Sequence, residues 1–499
     1  MKTLFLLFFS FYTLFSSTLY LSTSSNPSRI NPLLATDSAS SEIASYLFNG
    51  LVKYDTNLSN IVGDLAQSYE FIDDVTLLFH LRKNVFWHDG VKFSAQDVAF
   101  TYKTLLSKNI ATPYSSDFRF VKDVVVIDDY TLKVLYSKPY FKALEIWMMG
   151  ILPKHILKDE KNLMSSNFNT HPIGTGPYKL KKLEFSKNII LEANEKYFLG
   201  KPKIDTISLS IIADSTTRFL MLQQRQLDIG SLDPLSFEKK LKPSFFQNFN
   251  IYEKQSQSYT YLGFNFRKEK FQNPLLRKAL SLAINREELV DILFFGHAKV
   301  CNGPFLPSTQ AYNPNVKSPK QNIQKAKQIL KELGYTKQHP LEFEIATSNS
   351  NPIRPYAAQI LQYQLSKIGV KVKLRIMEWQ AFLNMVVFPH NFDTVLLGWG
   401  LSATPDPFTI WHSSNTKKGG FNFIGYKNKE LDKLIENSQK IVDRKKLAKL
   451  WQKMFALIVQ DNPYLFLYIP NSITAVSKNI HNVHSYPSGI WYDFILWQK

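Results

Sequence analysis

The chain has almost no cysteine. Cys301 is the only one in 499 residues, which excludes an internal disulfide framework and any metal site built from several thiolates. Catalytic signatures are also missing. There is no Gly-x-Ser-x-Gly elbow and no His-Glu-x-x-His pair. The densest glycine loop, Ile173–Tyr178, lacks the later glycine and the Lys-Ser/Thr of a phosphate cradle, so it reads as a structural turn. The paired acids Asp73–Asp74, Asp128–Asp129 and Glu287–Glu288 fall in turns or at a helix cap. No catalysis is expected from such a set. Past residue 17 no apolar run reaches the roughly 20 residues that a membrane span needs. The net charge is +19, yet there is no long basic run. Lys158, Lys187, Lys268 and Lys427 sit in separate polar segments, which suits a solvated surface better than a nucleic-acid interface.

What is present begins with a leader. Lys2 is followed by the mostly apolar Leu4–Phe15 and then by Ser16–Ser17, the pattern of a secretory signal over residues 1–17. An exported protein is expected, with no cysteine near the exit to carry a lipid. An uncleaved anchor is the alternative.

Helical and strand patterns alternate through the rest, so the fold class is α/β. Thr18–Ser22 alternates as a first strand, and Asp37–Leu51 has a helical spacing that Gly50 ends. Ser94 and Asp97 stand three apart, close to a capping box. Tyr259–Phe266 alternates strongly. Leu341–Ala346, Tyr356–Ile368 and Val370–Ile376 form a β-loop-α-β unit, and Trp379–Val387 reads as a helix. Pro463–Ile469 is an apolar strand.

One stretch stands out, Leu396–Ser413. An apolar run ends in Gly398–Trp399–Gly400, and two prolines flank Asp406, so helix is excluded there. A strand end with an aromatic wall, open backbone groups and one carboxylate suits a ligand-gripping edge. A core strand followed by an ordinary proline turn fits the same letters. His481 and His484 stand in a segment followed by Pro487 and Gly489, where a loop is expected.

Several segments, in order, resemble family 5 of the bacterial extracellular solute-binding proteins, the peptide and nickel type. They include Phe48–Val52 and Asp64–Ala66, then Leu81–Val85 through His88–Gly90 to Asp97–Phe100. Pro172–Tyr178, Arg277–Leu280 through Ala283–Arg286, and Ile368–Val370 complete the set. The resemblance implies a two-lobed, clam-like periplasmic-binding-protein fold of type II, cluster C. Lobe I would hold 18–48, 170–258 and 469–499. An inserted subdomain would span 49–169, and lobe II 259–468. Such proteins capture a solute in the periplasm and hand it to an ABC permease in the inner membrane. They are not enzymes, need no cofactor, and a monomer is expected.

In the peptide-binding members, the resemblance implies, an Asp three residues after the cleft tryptophan pairs with the peptide amino terminus. Here that position is Ser402, after Trp399 and Gly400. Asp406 is the nearby substitute. Trp399 and Tyr261 would form walls, backbone near Asn26 would bond a ligand main chain, and Arg354 would hold a carboxylate. A di- or oligopeptide is the expected ligand. The alternative is nickel in a small organic chelate, with His484 or His481 as the metal contact and Arg354 on the chelator.

Overall fold

Thr76–Leu81 and Thr131–Tyr136 each bury every second residue, which puts one face of a strand on a core. The computed structural model describes residues 17–58, 60–441 and 444–499. It pairs these two segments antiparallel, with Ala66–Asp73 and Val121–Asp128 outside them, as a four-stranded sheet. Helix Ala95–Leu105 packs on this sheet and starts at the expected cap, with the Ser94 and Asp97 side chains satisfying each other's backbone N–H groups. The leader expected over residues 1–17 lies outside the described residues apart from Ser17.

The first lobe is built on a second four-stranded sheet. Thr18–Thr23 runs parallel to Thr206–Ile211, which continues antiparallel into Asn188–Ala193 and Tyr178–Glu184. Helix Ser38–Leu47 follows, and the glycine loop packs on its end. A Cβ on Gly174 would lie 1.7 Å from the Leu47 carbonyl oxygen, so only glycine fits. His88 fastens this loop. Its Nδ1 accepts from the Gly174 N–H at 3.1 Å, which leaves Nε2–H to donate to the Gly176 carbonyl at 3.1 Å. The loop is a turn held by close packing, as its letters suggest.

The second lobe is a mixed sheet. Ser258–Phe264 lies between Thr394–Gly400 and Tyr464–Tyr468, antiparallel to both. Glu342–Ser348 runs parallel to Thr394–Gly400 on one side and Lys371–Met377 on the other, with helix Ile353–Ser366 as the crossover. One face, with Leu262, Ile345, Leu396 and Leu465, packs on helices Pro274–Ala283, Arg286–Phe294 and Ile353–Ser366. The other face carries Tyr261, Leu397, Tyr464 and Phe466, in an apolar cluster that runs on into the first lobe and the inserted sheet.

One strand serves both lobes. Tyr464–Ser477 is continuous over 14 residues. Its first part pairs with Ser258–Phe264 and with Ala298–Val300, its second with Ile229–Leu232 and Phe249–Gln255. The strand expected from the sequence, Pro463–Ile469, ends just before Pro470. Pro470 instead stands where the strand changes partners, so its missing N–H costs little, and its carbonyl accepts from the Ser256 N–H at 3.1 Å. Two other boundaries differ. Helix Ile353–Ser366 begins before Pro355, whose missing donor falls in the first turn where N–H groups have no helical acceptor. The helix expected at Trp379–Val387 is one α-turn, Trp379–Phe382, followed by the π-turn Leu383–Val387.

Candidate functional site

The apolar letters of the strand Thr394–Gly400 bury its first four residues, and the glycines let its end emerge. The Leu401 N–H donates to the Gln257 carbonyl at 2.7 Å, so this end rests on the crossing between lobes. Trp399 is held rather than free. Its indole N–H donates to the Tyr464 hydroxyl at 3.2 Å, and its ring packs 5.2 Å from Phe421 and 5.6 Å from Phe423. Tyr261 lies behind it, stacked at 6.3 Å from Trp399 and 3.7 Å from Tyr464. At 0% exposure Tyr261 is a support for the tryptophan and not the ligand wall that the sequence suggests. It is part of a stack of rings in the core of the second lobe.

Arg354 lies beneath the same strand. It stands in the first turn of its helix, with its N–H on Asn351 Oδ1 at 3.2 Å. One guanidinium nitrogen comes within 2.7 Å of where a Cβ on Gly398 would be, so glycine at 398 makes room for it. Tyr261 and Tyr468 are its electrostatic neighbours, and burial pushes the guanidinium below its ordinary range. Its buried Nε has no hydrogen-bond partner. Among the described residues no carboxylate pairs with it. A buried Nε without a hydrogen bond costs free energy, and Arg119 Nε and Nη2 are in the same state, although Arg354 as a whole is only half-buried.

Asp406 is placed quite differently. Its carboxylate is 2.9 Å from the ammonium of Lys142, in the inserted segment, and accepts from the Phe408 N–H at 2.9 Å. Lys142 is also 3.4 Å from Asp117. The Asp406 side chain is 5% exposed. Burial pushes this carboxyl up, but Lys142 and Arg119 outweigh it and hold it below the usual range. Burial disfavours the Lys142 charge, and Asp117 with Asp406 reverse this and hold it well above the usual lysine value. Asp117 is pushed up by burial. The expectation that Asp406 offers an unpaired acid is therefore corrected, because its counter-ion comes from within the protein.

This pair belongs to a broad contact between the inserted segment and the second lobe. The Arg119 guanidinium lies 3.5 Å above the Phe408 ring. Thr404 donates to Glu145 at 3.2 Å and accepts from the Tyr54 hydroxyl at 3.2 Å. The Phe141 N–H donates to the Gln439 carbonyl at 3.3 Å, and its ring packs on Trp451. Gly400 and Ser402 are exposed, and the Ser402 hydroxyl donates to the Thr404 carbonyl at 2.6 Å.

The remaining expected residues lie apart. The Asn26 side chain is bound within its own lobe to Ser186, accepting from its N–H at 2.7 Å. The Asn26 carbonyl accepts from Gln380 of the second lobe at 3.1 Å. His484 is on Asp493 at 3.0 Å, and the His481 N–H donates to the Gln498 carbonyl at 2.9 Å. Among the described residues no group of three or more His, Cys, Asp or Glu side chains is placed to hold a metal. A cavity of about 660 Å³ opens on first-lobe elements, lined by Ser22, Glu42, Tyr46, Ser231, Thr474 and Trp491 among others. None of the residues singled out from the sequence lines it. Burial pushes the Glu42 carboxyl up to about 7, against a hydrogen bond from Thr23. Sequence reasoning missed Lys142, Asp117 and Arg119, and scattered hydroxyls such as Ser22 and Ser231 gave no local signal.

Two lobes that share a strand, cross twice and close on each other define the class of two-lobed solute-capture proteins. The chain belongs to the bacterial extracellular solute-binding proteins, family 5. The family model described as "Bacterial extracellular solute-binding proteins, family 5 Middle" matches residues 60–422. This family consists of solute-binding transport proteins. The chain is 34% identical over 490 residues to the oligopeptide-binding protein AppA of Bacillus subtilis, covering 94% of this chain and 89% of that one. The solved structure of Bacillus subtilis AppA in complex with a nonapeptide superposes with a TM-score of 0.91 at 33% identity, over 96% of this chain and 98% of the other. NikZ from Campylobacter jejuni in complex with Ni(L-His) superposes with a TM-score of 0.87 at 28% identity, over 97% and 100%. Among the described residues no helix is long and apolar enough to cross a membrane.

Proposed function

We propose that the protein captures a di- or oligopeptide between its lobes and delivers it to an inner-membrane ABC permease. The leader over residues 1–17 exports it to the periplasm, where it works as a monomer. Residues 18–48, 170–258 and 469–499 form lobe I, residues 259–468 form lobe II, and the inserted subdomain 49–169 closes with lobe I. The observation that carries the peptide over other solutes is the likeness to an oligopeptide-binding protein along nearly the whole chain. Arg354 receives a ligand carboxylate, Trp399 walls the site, and backbone at Gly400, Ser402 and Asn26 bonds the ligand main chain.

A second reading is nickel held in a small chelate, favoured by the likeness to a nickel–histidine complex. It would use Arg354 for the chelator's carboxylate and His484 or His481 near the metal. Native mass spectrometry of protein recovered from the periplasm, with metal analysis, separates the two. A peptide mass without metal supports the first. About one nickel per chain, lost in the His481→Ala/His484→Ala double variant, would replace it with the second.

A further inference from the structure

The first-lobe cavity of about 660 Å³ is lined by one acid and by no lysine, arginine or histidine. Glu42 is that acid, on helix Ser38–Leu47. Among the described residues no cation pairs with its carboxyl, which has only a hydrogen bond from Thr23. Tyr46, four residues on and so on the same helix face, meets Trp491 edge to face at 6.2 Å. Hydroxyls of the shared strand line the cavity too. Ser472 and Thr474 are two apart and point the same way, and Ser231 lies directly opposite Thr474. Ser488, also in the lining, has a buried hydroxyl with no hydrogen-bond partner. The cavity adjoins the crossing on which the Trp399 strand ends. The Leu401 N–H rests on the Gln257 carbonyl at 2.7 Å, the Ser256 N–H rests on the Pro470 carbonyl at 3.1 Å, and Ser472 is two residues further on.

We propose that this cavity receives a primary ammonium of the solute, with Glu42 as its counter-ion. An ammonium has three N–H donors and no acceptor, and a carboxylate among hydroxyls offers it both charge and acceptors. The faces of Tyr46 and Trp491 attract a cation and repel an anion. A carboxylate entering here would find no cation to meet it. Burial pushes the Glu42 carboxyl up to about 7, and an ammonium beside it would bring it down again. The other titratable groups around the cavity already have partners. Lys254, across the ladder from Ser472, donates to the Pro487 carbonyl at 3.2 Å. The Lys53 ammonium lies 5.3 Å from the centre of the Tyr492 ring. Asp493 accepts from Tyr486 at 2.9 Å and pairs with His484 at 3.0 Å. An amino terminus, a lysine side chain and a free alkylamine all carry the group that Glu42 lacks.

For the source of the ammonium this rests on the peptide reading, and the choice of ligands keeps the two apart. Binding of trialanine, N-acetyl-alanyl-lysyl-alanine, N-acetyl-trialanine and cadaverine is measured by calorimetry on the wild-type protein and on Glu42→Gln. At about pH 7.5 both Glu42 and the amines are mostly charged. The wild type is expected to bind at least one of the two amine-bearing peptides at least about tenfold more tightly than N-acetyl-trialanine, and the one preferred tells an amino terminus from a side chain. Glu42→Gln should bring all three peptides within about threefold. Equal wild-type affinity for the three overturns the proposal and leaves the peptide reading standing, and so does a preference that survives Glu42→Gln. If no peptide binds but cadaverine does, and loses at least about tenfold in Glu42→Gln, the site stands and the peptide reading falls. If none of the four binds, both fall. A reading that needs no variant comes from pH. Between about pH 7.5 and 5.5 Glu42 takes up its proton, so wild-type affinity for the preferred peptide should fall at least about fivefold. A flat profile overturns the assignment.

Discussion

Lys142, at the contact between the inserted segment and the second lobe, and Arg354, behind the second-lobe strand Thr394–Gly400, are both largely enclosed cations, and the protein treats them in opposite ways. Lys142 faces two carboxylates at 2.9 and 3.4 Å, so its charge is satisfied inside the chain. Arg354 faces tyrosines and a glycine, and its Nε is left without a partner. A matched cation serves cohesion. An unmatched one is left with bonding capacity to spare, which the proposed ligand carboxylate would use. The contrast separates a cation that ties the inserted segment to the second lobe from one proposed to meet the solute.

The sharpest way to break the comparison is to remove the matched cation. Lys142→Met leaves two buried acids without their lysine and is expected to lower the unfolding free energy by about 3–5 kcal/mol. Urea unfolding measures this, and a loss below about 1 kcal/mol would show the pair to be idle. Arg354→Met should act in reverse. Ligand affinity falls by about 2–4 kcal/mol in calorimetry, while thermal stability holds or rises because an unpaired charge has gone. Equal losses of stability in both variants would erase the distinction.

Two histidines extend the comparison through pH. His88 is kept neutral, its imidazole pushed down to about 4 by burial. The unfolded chain then binds more protons between pH 6.5 and 4, so stability is full above that window and falls through it by about 2–3 kcal/mol. His88→Gln should flatten this fall in pH-dependent unfolding. His297 is a wet counterpart of Lys142, at 2.9 Å from Glu238 and 2.8 Å from Glu253 beside the lobe crossing. Burial lowers its pKa, but the two glutamates outweigh that and raise it. Its contribution is fully present below pH 6.5 and is lost as pH rises through the raised value. Water and salt screen the exposed glutamates, so the effect should stay under about 1 kcal/mol. His297→Gln should remove the slope above neutral pH, and a slope that persists would assign it elsewhere.

The elements that local chemistry dictates were legible in the letters. Ser94 with Asp97 and the alternation that begins at Tyr259 form as expected. So did the family, because its segments recur in order. The site was read less well. Trp399 and Arg354 stand at the strand Thr394–Gly400, but Tyr261 turned inward because a period-2 pattern does not say which face is the core. Asp406 misled for another reason. Its partner is 264 positions away, and no local pattern encodes a pair made only when two subunits of architecture meet. Pro470 concealed half of a strand, since a residue that stops a ladder also suits the point where a ladder changes partners.

The strand Tyr464–Ser477 has a consequence for the order in which the protein can come to exist. It joins the sheet of the second lobe to Ile229–Leu232 and Phe249–Gln255 of the first, and it follows all of these partners in the chain. That shared sheet cannot be completed while a nascent chain is still short of residue 477, whereas the four-stranded sheets of the first lobe and the inserted segment contain none of it. During synthesis its partner strands keep open edges until this late segment arrives. A chain halted at residue 460 would lack the join between the lobes and not only one strand.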